Sequence, residues 1–438
     1  MAGRGEARVV VANRAQLSWD LINPDGWLAP DHRARLVVGF VETLDLTVLY
    51  DKIEAREGTA GRPAADPAVL FALWLLATMD GVGSARELDR LTSQDLAYRW
   101  VACGVPVNYH GLADFRVAHA DVLDDLLTKT LAAFMAEGLF DADEIVIDGT
   151  KIKASAGKGS YKRALRLDEA EAASKARVVA LKAEVDADPA ASSRRTQAAR
   201  ARGLSQTQQR IEKARAKLAE IEAEKAKRAK RSPREVAEKK EAQASLTDPE
   251  ARRMRCADGA VRASYNVQIA ATTDHGFVTA IMATDRRNDS GLARPMFEAS
   301  EQRLGRMIKR VLADTGFAQI DDIAALGSRP EAPIGVYIHP PRDRADVKPA
   351  TLLVRQKQRE KEPQIVKDWR QRMTTNEAET IMKKRRRIER VNANFKNRSF
   401  GTLLVRGLAK VQTVALWHAL AHNLAIALRL RAMAVAAA

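Results

Sequence analysis

Three carboxylates, Asp148, Asp314 and Glu389, have surroundings that point to chemistry rather than packing. Asp148 closes the run Glu144-Ile145-Val146-Ile147 and is followed by Gly149-Thr150-Lys151. Asp314 closes a second run, Arg310-Val311-Leu312-Ala313, and is followed by Thr315-Gly316-Phe317. Short β-branched runs bounded by polar residues and glycine are the pattern of buried strands, so each aspartate is expected at a strand exit. Glu389 stands inside the basic helical stretch Arg385-Arg386-Arg387-Ile388-Glu389-Arg390. Alone, Asp148 reads best as a turn-capping aspartate; taken with the other two in this order, it reads as catalytic. Three ionised carboxylates brought together in water-poor surroundings raise each other's pKa values, and a divalent cation removes the conflict. Oxygen ligands without a His or Cys cluster suit Mg²⁺ or Mn²⁺, and paired ions activate both the attacking and the leaving oxygen of a phosphodiester. The expected chemistry is phosphoryl transfer on nucleic acid, with all three carboxylates as metal ligands.

The two aspartate strands and the helix carrying Arg385-x-x-x-Glu389-x-x-x-x-x-x-Lys396 resemble the DDE transposases of bacterial insertion sequences. The resemblance continues into Arg406-Gly407-Leu408-Ala409-Lys410-Val411 and Ala421-His422-Asn423-Leu424, and its most specific part is the Arg-Glu-Lys spacing. Three residues before the arginine, where that family usually has tyrosine, stands Met382. The resemblance implies an α/β, RNase H-like catalytic core with a mixed sheet flanked by helices. It also implies a metal-dependent enzyme that cleaves a transposon end and joins the freed 3′ hydroxyl to target DNA. Basic groups flanking a metal-binding glutamate suit the gripping of phosphates, which makes Arg385 and Lys396 DNA-binding candidates.

Composition agrees with a polyanion partner. The 438 residues carry a net charge of +16, and Lys and Arg release counterions from phosphates whatever the base sequence. Charge alone would equally fit RNA or an anionic membrane. Two cysteines, Cys103 and Cys256, exclude a disulfide framework and a cysteine-rich zinc site. The first twenty residues lack the uninterrupted apolar core of a signal peptide, and Val69 to Met79 is too short to span a membrane, so a cytoplasmic protein is expected, and the family resemblance implies a bacterial, nucleoid-associated one.

Four segments are expected along the chain. Residues 1–140 read as a helical domain for DNA binding or dimerisation, 141–154 as the first core strand, 155–256 as a helical insertion, and 257–438 as the rest of the core with carboxy-terminal helices. In the first, one helix runs from about His32 to Glu42 with Leu36, Val37 and Phe40 on a shared face. A second is capped by Asp66 with Pro67 in its first turn, after the Gly61-Arg62-Pro63 loop. A capping box, Ser84-Ala85-Arg86-Glu87, opens another, and Thr92-Ser93-Gln94-Asp95 opens the next. Arg86, Arg90, Arg99 and Arg116 are expected to face outward; with Arg86 and Arg90 as DNA contacts, this fits a helix-turn-helix-like reader. A helical cap that holds a homodimer together fits equally well.

The insertion is rich in Ala, Glu, Lys and Arg and breaks once, at Asp186-Ala187-Asp188-Pro189. Leu167, Val178, Leu181 and Val185 before the break, and Leu204, Ile211, Leu218 and Ile221 after it, predict an antiparallel helical hairpin. Its role, DNA clamp, subunit contact or solvated arm, stays open, as does that of its basic run from Lys225 to Arg234.

Beyond it, Arg262 to Ala270 and Phe277 to Thr284 predict a β-hairpin about Asp274-His275-Gly276, with His275 exposed. A helix from about Ser290 to Leu304, the Asp314 strand, a helix over Ala318 to Leu326 and a strand at Gly335 to Ile338 complete the core order. Asp289 reads first as a helix cap, with assistance to a metal ion as its alternative. Pro340 to Pro363 reads as a loop near DNA, Asn376 to Asn397 as the Glu389 helix, and Thr413 to Arg431 as a helix behind the sheet. His418 and His422 have the spacing of zinc ligands but read as a structural pair, because the metalloprotease glutamate is missing. Gly157-Lys158-Gly159-Ser160 lacks the spacing of a phosphate loop. Two other readings keep parts of this picture: a non-catalytic DNA-binding scaffold derived from a transposase, and a recombination nuclease on the same fold.

Overall fold

A computed structural model describes residues 23–55, 63–187, 193–231, 241–330, 333–343, 347 and 349–437. The amino-terminal stretch, Gly61-Arg62, Asp188-Pro189 and residues 232–234 of the basic run lie outside the described residues.

Seven helices come first: α1 (Arg33–Glu42), α2 (Thr47–Asp51), α3 (Pro67–Asp80), α4 (Ala85–Gln94), α5 (Leu96–Ala102), α6 (Tyr109–Ala118) and α7 (Ala120–Ala136). Their boundaries follow local chemistry. Asp66 Oδ1 accepts from Ala68 N ahead of Pro67, and Gly81, at φ 79, ends α3 in the left-handed conformation that glycine adopts without strain. Ser84 caps α4. The expected start at Thr92 is displaced: Thr92 to Gln94 finish α4, and Asp95 caps α5 through Ala97 N and Tyr98 N. Val37 is buried in α1, whereas Leu36 is 41% exposed and leaves the shared face.

Strand β1 (Glu144–Lys153) and β2 (Tyr161–Lys162) lead into the insertion, α8 (Ala164–Ala187) and α9 (Arg194–Arg231). The two helices close on a small core of their own, in which Leu167 meets Ala214, Leu218 and Ile221. At the foot, β2 pairs antiparallel with β3 (Ala244–Ser245), so the chain returns beside its point of departure. Lys217 reaches Asp285, and Arg252 bridges Glu224 and Asp285, tying the hairpin to the core.

Then follow β4 (Arg252–Arg255), β5 (Val261–Thr272), β6 (Val278–Thr284), α10 (Ala293–Leu304), β7 (Arg310–Ala313), α11 (Ile320–Gly327) and β8 (Gly335–Ile338). In the sheet, β5 is antiparallel to β1 and β6, while β7 and β8 run parallel to β1. The order β6-β5-β1-β7-β8 is that of an RNase H-like sheet, with the insertion following its first strand. Helix α12 (Pro349–Glu360) occupies part of the stretch expected to be loop: Pro340 and Pro341 precede it, Pro349 takes its first position, where proline is tolerated, and Thr351 to Glu360 is unbroken by Pro or Gly.

The last helices are α13 (Gln364–Arg372), α14 (Asn376–Met382), α15 (Arg386–Phe395) and α16 (Leu408–Ala437). Long and apolar enough by composition to cross a membrane, α16 instead buries Val411, Trp417, Leu420 and Leu424 in the protein. Its polar residues cover the open edge of β6, which would otherwise offer unpaired backbone groups. Asn423 accepts from Val278 N at 2.7 Å and donates to Val278 O at 2.9 Å, and Gln412 does the same for Ala283 N and Ile281 O. Trp417 lies tilted 4.7 Å from Phe71, and Phe140 stacks 4.6 Å from Phe277, so one apolar core runs from the amino-terminal helices into the sheet.

Candidate active site

In the parallel ladder Ile147 pairs with Ala313, so Asp148 and Asp314 stand on neighbouring strands where β7 ends; only Asp314 is at the expected strand exit, because β1 runs on to Lys153 against β5 and leaves Asp148 in mid-strand. Asp314 is steadied by its own turn, its Oδ1 accepting from Gly316 N at 2.8 Å. A Cβ on residue 316 would stand 2.9 Å from that oxygen, which accounts for the glycine. Helix α15 buries Ile388, Val391 and Phe395, and two polar contacts tie this stretch to β1, one from the 3-10 turn before the helix and one from the helix itself. Lys384 pairs with Glu144 at the start of the strand at 2.7 Å, and Asn392 donates to Asp148 Oδ2 at 2.7 Å. Glu389, one turn before Asn392 and exposed, pairs with Arg385 at 2.8 Å. The helix expected over 376–397 is α14, a 3-10 turn that holds Arg385, and α15, with Lys396 opening a distorted turn that kinks at Arg398 and Ser399.

Burial, and after it the neighbouring Asp314, push the Asp148 carboxyl from 3.8 up to about 6, with Arg385 opposing them. The buried Asp148 carboxyl beside that of Asp314, with the Asn392 carboxamide on Asp148, is a donor set suited to a hard divalent cation. The buried Asn392 Oδ1 has no protein partner. Among the described residues, no three His, Cys, Asp or Glu side chains stand close enough as they are to share one ion.

Asp289 is not the cap expected of it. Leu292 is the N-cap residue of α10, without a side-chain bond, and Asp289 Oδ1 receives Asn266 Nδ2 at 2.7 Å and Gln268 Nε2 at 2.8 Å. Gly149, which pairs with Gln268, is small enough to admit this carboxylate; a Cβ there would collide with it. Neither these carboxamides nor Asn392 were singled out in the sequence. The signal for Asn392 was its place three residues after Glu389, and for the others the alternation of Asn266 and Gln268 along an apolar strand.

The four outward arginines divide. Arg86 is exposed over the Tyr109 ring at 4.8 Å, and Arg90 is exposed but paired with Glu87. Arg99 is exposed over Trp27. Arg116 is buried, because α6 turns it inward over Trp74. His418 and His422 are structural: both are buried, His422 Nε2 lies 3.1 Å from Gly276 O, and burial pushes its pKa down to about 4. His275 is exposed. Gly157 to Ser160 form no phosphate loop, since a 3-10 turn leads into β2 and no helix begins there.

The family model for the transposase DDE domain matches residues 237–424, and that for a transposase domain (DUF772) matches residues 23–117. The chain belongs to the DDE transposases of insertion-sequence type. No curated protein and no solved structure matches the transposase. Asp314 and Glu389 fall inside the DDE match; Asp148 falls between the two, because the insertion separates β1 from the rest of the transposase core.

Proposed function

We propose that this transposase cleaves DNA at transposon ends and transfers the freed 3′ hydroxyl to target DNA, with Asp148, Asp314 and Glu389 as its catalytic and metal-holding carboxylates. The observation that carries the reading is the placement of Asp148 and Asp314 on neighbouring strands where β7 ends, with the Glu389 helix pinned to β1 by Asn392. A bound Mg²⁺ or Mn²⁺ pair would supply Lewis-acid activation of the attacking and leaving oxygens. The protein's own groups orient the acids: Asn392 holds Asp148 Oδ2, the Gly316 amide holds Asp314, and Arg385 holds Glu389 until phosphate competes for the guanidinium. Arg385 and Lys396 bind phosphates beside the scissile bond, while Arg86 and Arg90 bind DNA from the amino-terminal helices of a homodimer working on the bacterial nucleoid in the cytoplasm.

The test is strand cleavage by Asp148→Asn, Asp314→Asn and Glu389→Gln. Each should abolish Mg²⁺-dependent cleavage and leave DNA binding near that of the wild type, because each removes a ligand charge and no phosphate contact. Substantial cleavage by any one variant removes that residue from the site. Cleavage absent from the wild type, with DNA still bound, favours a scaffold.

A further inference from the structure

Beside the end of α15 lies a cavity of about 410 Å³ whose lining joins the amino-terminal helices to the catalytic core. Gly83, Ser84 and Arg116 form one wall, and Lys396, Ser399 and the segment 401–404 form the other. Among the described residues, no acidic one lines it. Arg116 is only 6% exposed, and its Nε has no hydrogen-bond partner. Its Nη1 donates to Gly83 O at 2.5 Å, its guanidinium lies 4.6 Å over Trp74, and its carbonyl accepts from Trp417 Nε1 at 3.0 Å. The side chain is thus held rigidly with its charge unpaired by any carboxylate among the described residues. A buried, unpaired guanidinium is costly unless an anion joins it.

Three neighbours add to the demand for an anion. The ten-residue helix α4 begins at the cavity, and its first amides and dipole favour negative charge. Ser399 stands at φ 68 in the kink that follows α15, and its buried Oγ has no partner among the described residues. Left-handed non-glycine residues gather at functional positions. Gly83 lets this turn approach, since a Cβ there would be 2.9 Å from Ser399 Oγ. Lys396 supplies a second charge seven residues beyond Glu389, roughly 10 Å along the helix.

We propose that this cavity is a phosphate-binding site for the DNA strand that passes the acidic centre, gripped jointly by Arg116 and the α4 amino terminus on one side and by Lys396 and Ser399 on the other. The inference rests on the DNA-cleaving function above and adds to it a contact made by the amino-terminal helices within the catalytic groove. The exposed apolar side chain of Leu404 at the rim gives a deoxyribose a surface to lie on.

The experiment measures affinity of the full-length protein for terminal-sequence and scrambled duplexes over a salt series without divalent metal, for wild type, Arg116→Met and Leu404→Glu. Arg116→Met keeps the apolar stem and removes the charge. It should weaken both duplexes alike, by about tenfold, and make the slope of log K against log salt shallower by about one unit. Its melting temperature should hold or rise, because an unpaired buried charge is gone; a purely structural arginine would give a fall with unchanged affinity, which overturns the proposal. Leu404 is 61% exposed, so Leu404→Glu tests the site even if Arg116→Met fails to fold: a carboxylate at the rim should repel the strand, and unchanged affinity overturns the proposal. If inorganic phosphate at matched ionic strength raises the wild-type melting temperature while both variants bind DNA normally, the site takes free anions and the DNA assignment is overturned. Wild type that binds and cleaves, with both variants unaffected, removes the cavity alone. Wild type that binds without cleaving removes the catalytic reading and leaves the cavity to be judged on binding.

Discussion

Replacing Asp148 with Asn should stabilise the metal-free protein at neutral pH while abolishing cleavage, and the size of the gain follows from the site. Burial and Asp314 raise the Asp148 carboxyl from 3.8 to about 6 in the folded chain. The folded state therefore holds this proton more tightly than the unfolded state, and stability contributed by the group falls as pH rises between these values. At about 1.4 kcal/mol per pH unit, the loss is complete above pH 7 at about 3 kcal/mol, and it is about 1 kcal/mol at roughly pH 4.5. Asn has the same shape and still offers Asn392 an oxygen, so the variant escapes the loss without opening a cavity. For a chain of this length about 3 kcal/mol corresponds to a rise of about 3 °C in Tm. Melting curves of both proteins in EDTA, from pH 4.5 to 8, measure the difference directly. It should grow with pH and flatten above 7. A difference that is constant, or that shrinks as pH rises, would show that Asp148 is not strained by its neighbours, and would remove the electrostatic ground for a cation there. Millimolar Mg²⁺ or Mn²⁺ should raise the wild-type Tm and leave that of Asp148→Asn nearly unchanged.

Arg385→Ala and Lys396→Ala should each weaken binding to specific and random DNA alike and lower the salt slope by about one unit, with cleavage falling further than binding; unchanged slope and cleavage would reduce both to solvated charges. Exchanging residues 166–240 for a short Gly/Ser linker should leave a cooperative melting transition by circular dichroism, because the β2–β3 ladder already brings the ends together; loss of cooperativity would mean that the hairpin supports the main core. Asn423→Ala strips Val278 of both side-chain partners at the sheet edge and should cost about 2–4 kcal/mol by denaturant titration, whereas a cost under about 0.5 kcal/mol would show that the edge is satisfied otherwise.

Much of the architecture was legible because it rests on local rules. Continuous apolar runs marked β1 and β7, alternation marked β5, the heptad-spaced Leu204, Ile211 and Leu218 marked the insertion, and Asp66-Pro67 and Ser84 marked helix starts. The Arg-Glu-Lys spacing pointed to the family because residues a few turns apart on a helix keep a fixed relation wherever the helix lies. What required the folded chain was every relation across long separations. Asp289 read as a cap since nothing nearby in sequence shows that Asn266 and Gln268 face it across Gly149. Arg116 read as exposed since its helix alone does not reveal that Trp74, distant in sequence, lies under its guanidinium, or that Gly83 O takes its Nη1. The pairing of Asp148 with Asp314 depends on β7 lying parallel beside β1, and that order is chosen by burial of both sheet faces and by helix packing, free energies summed over the whole core rather than carried by any single stretch.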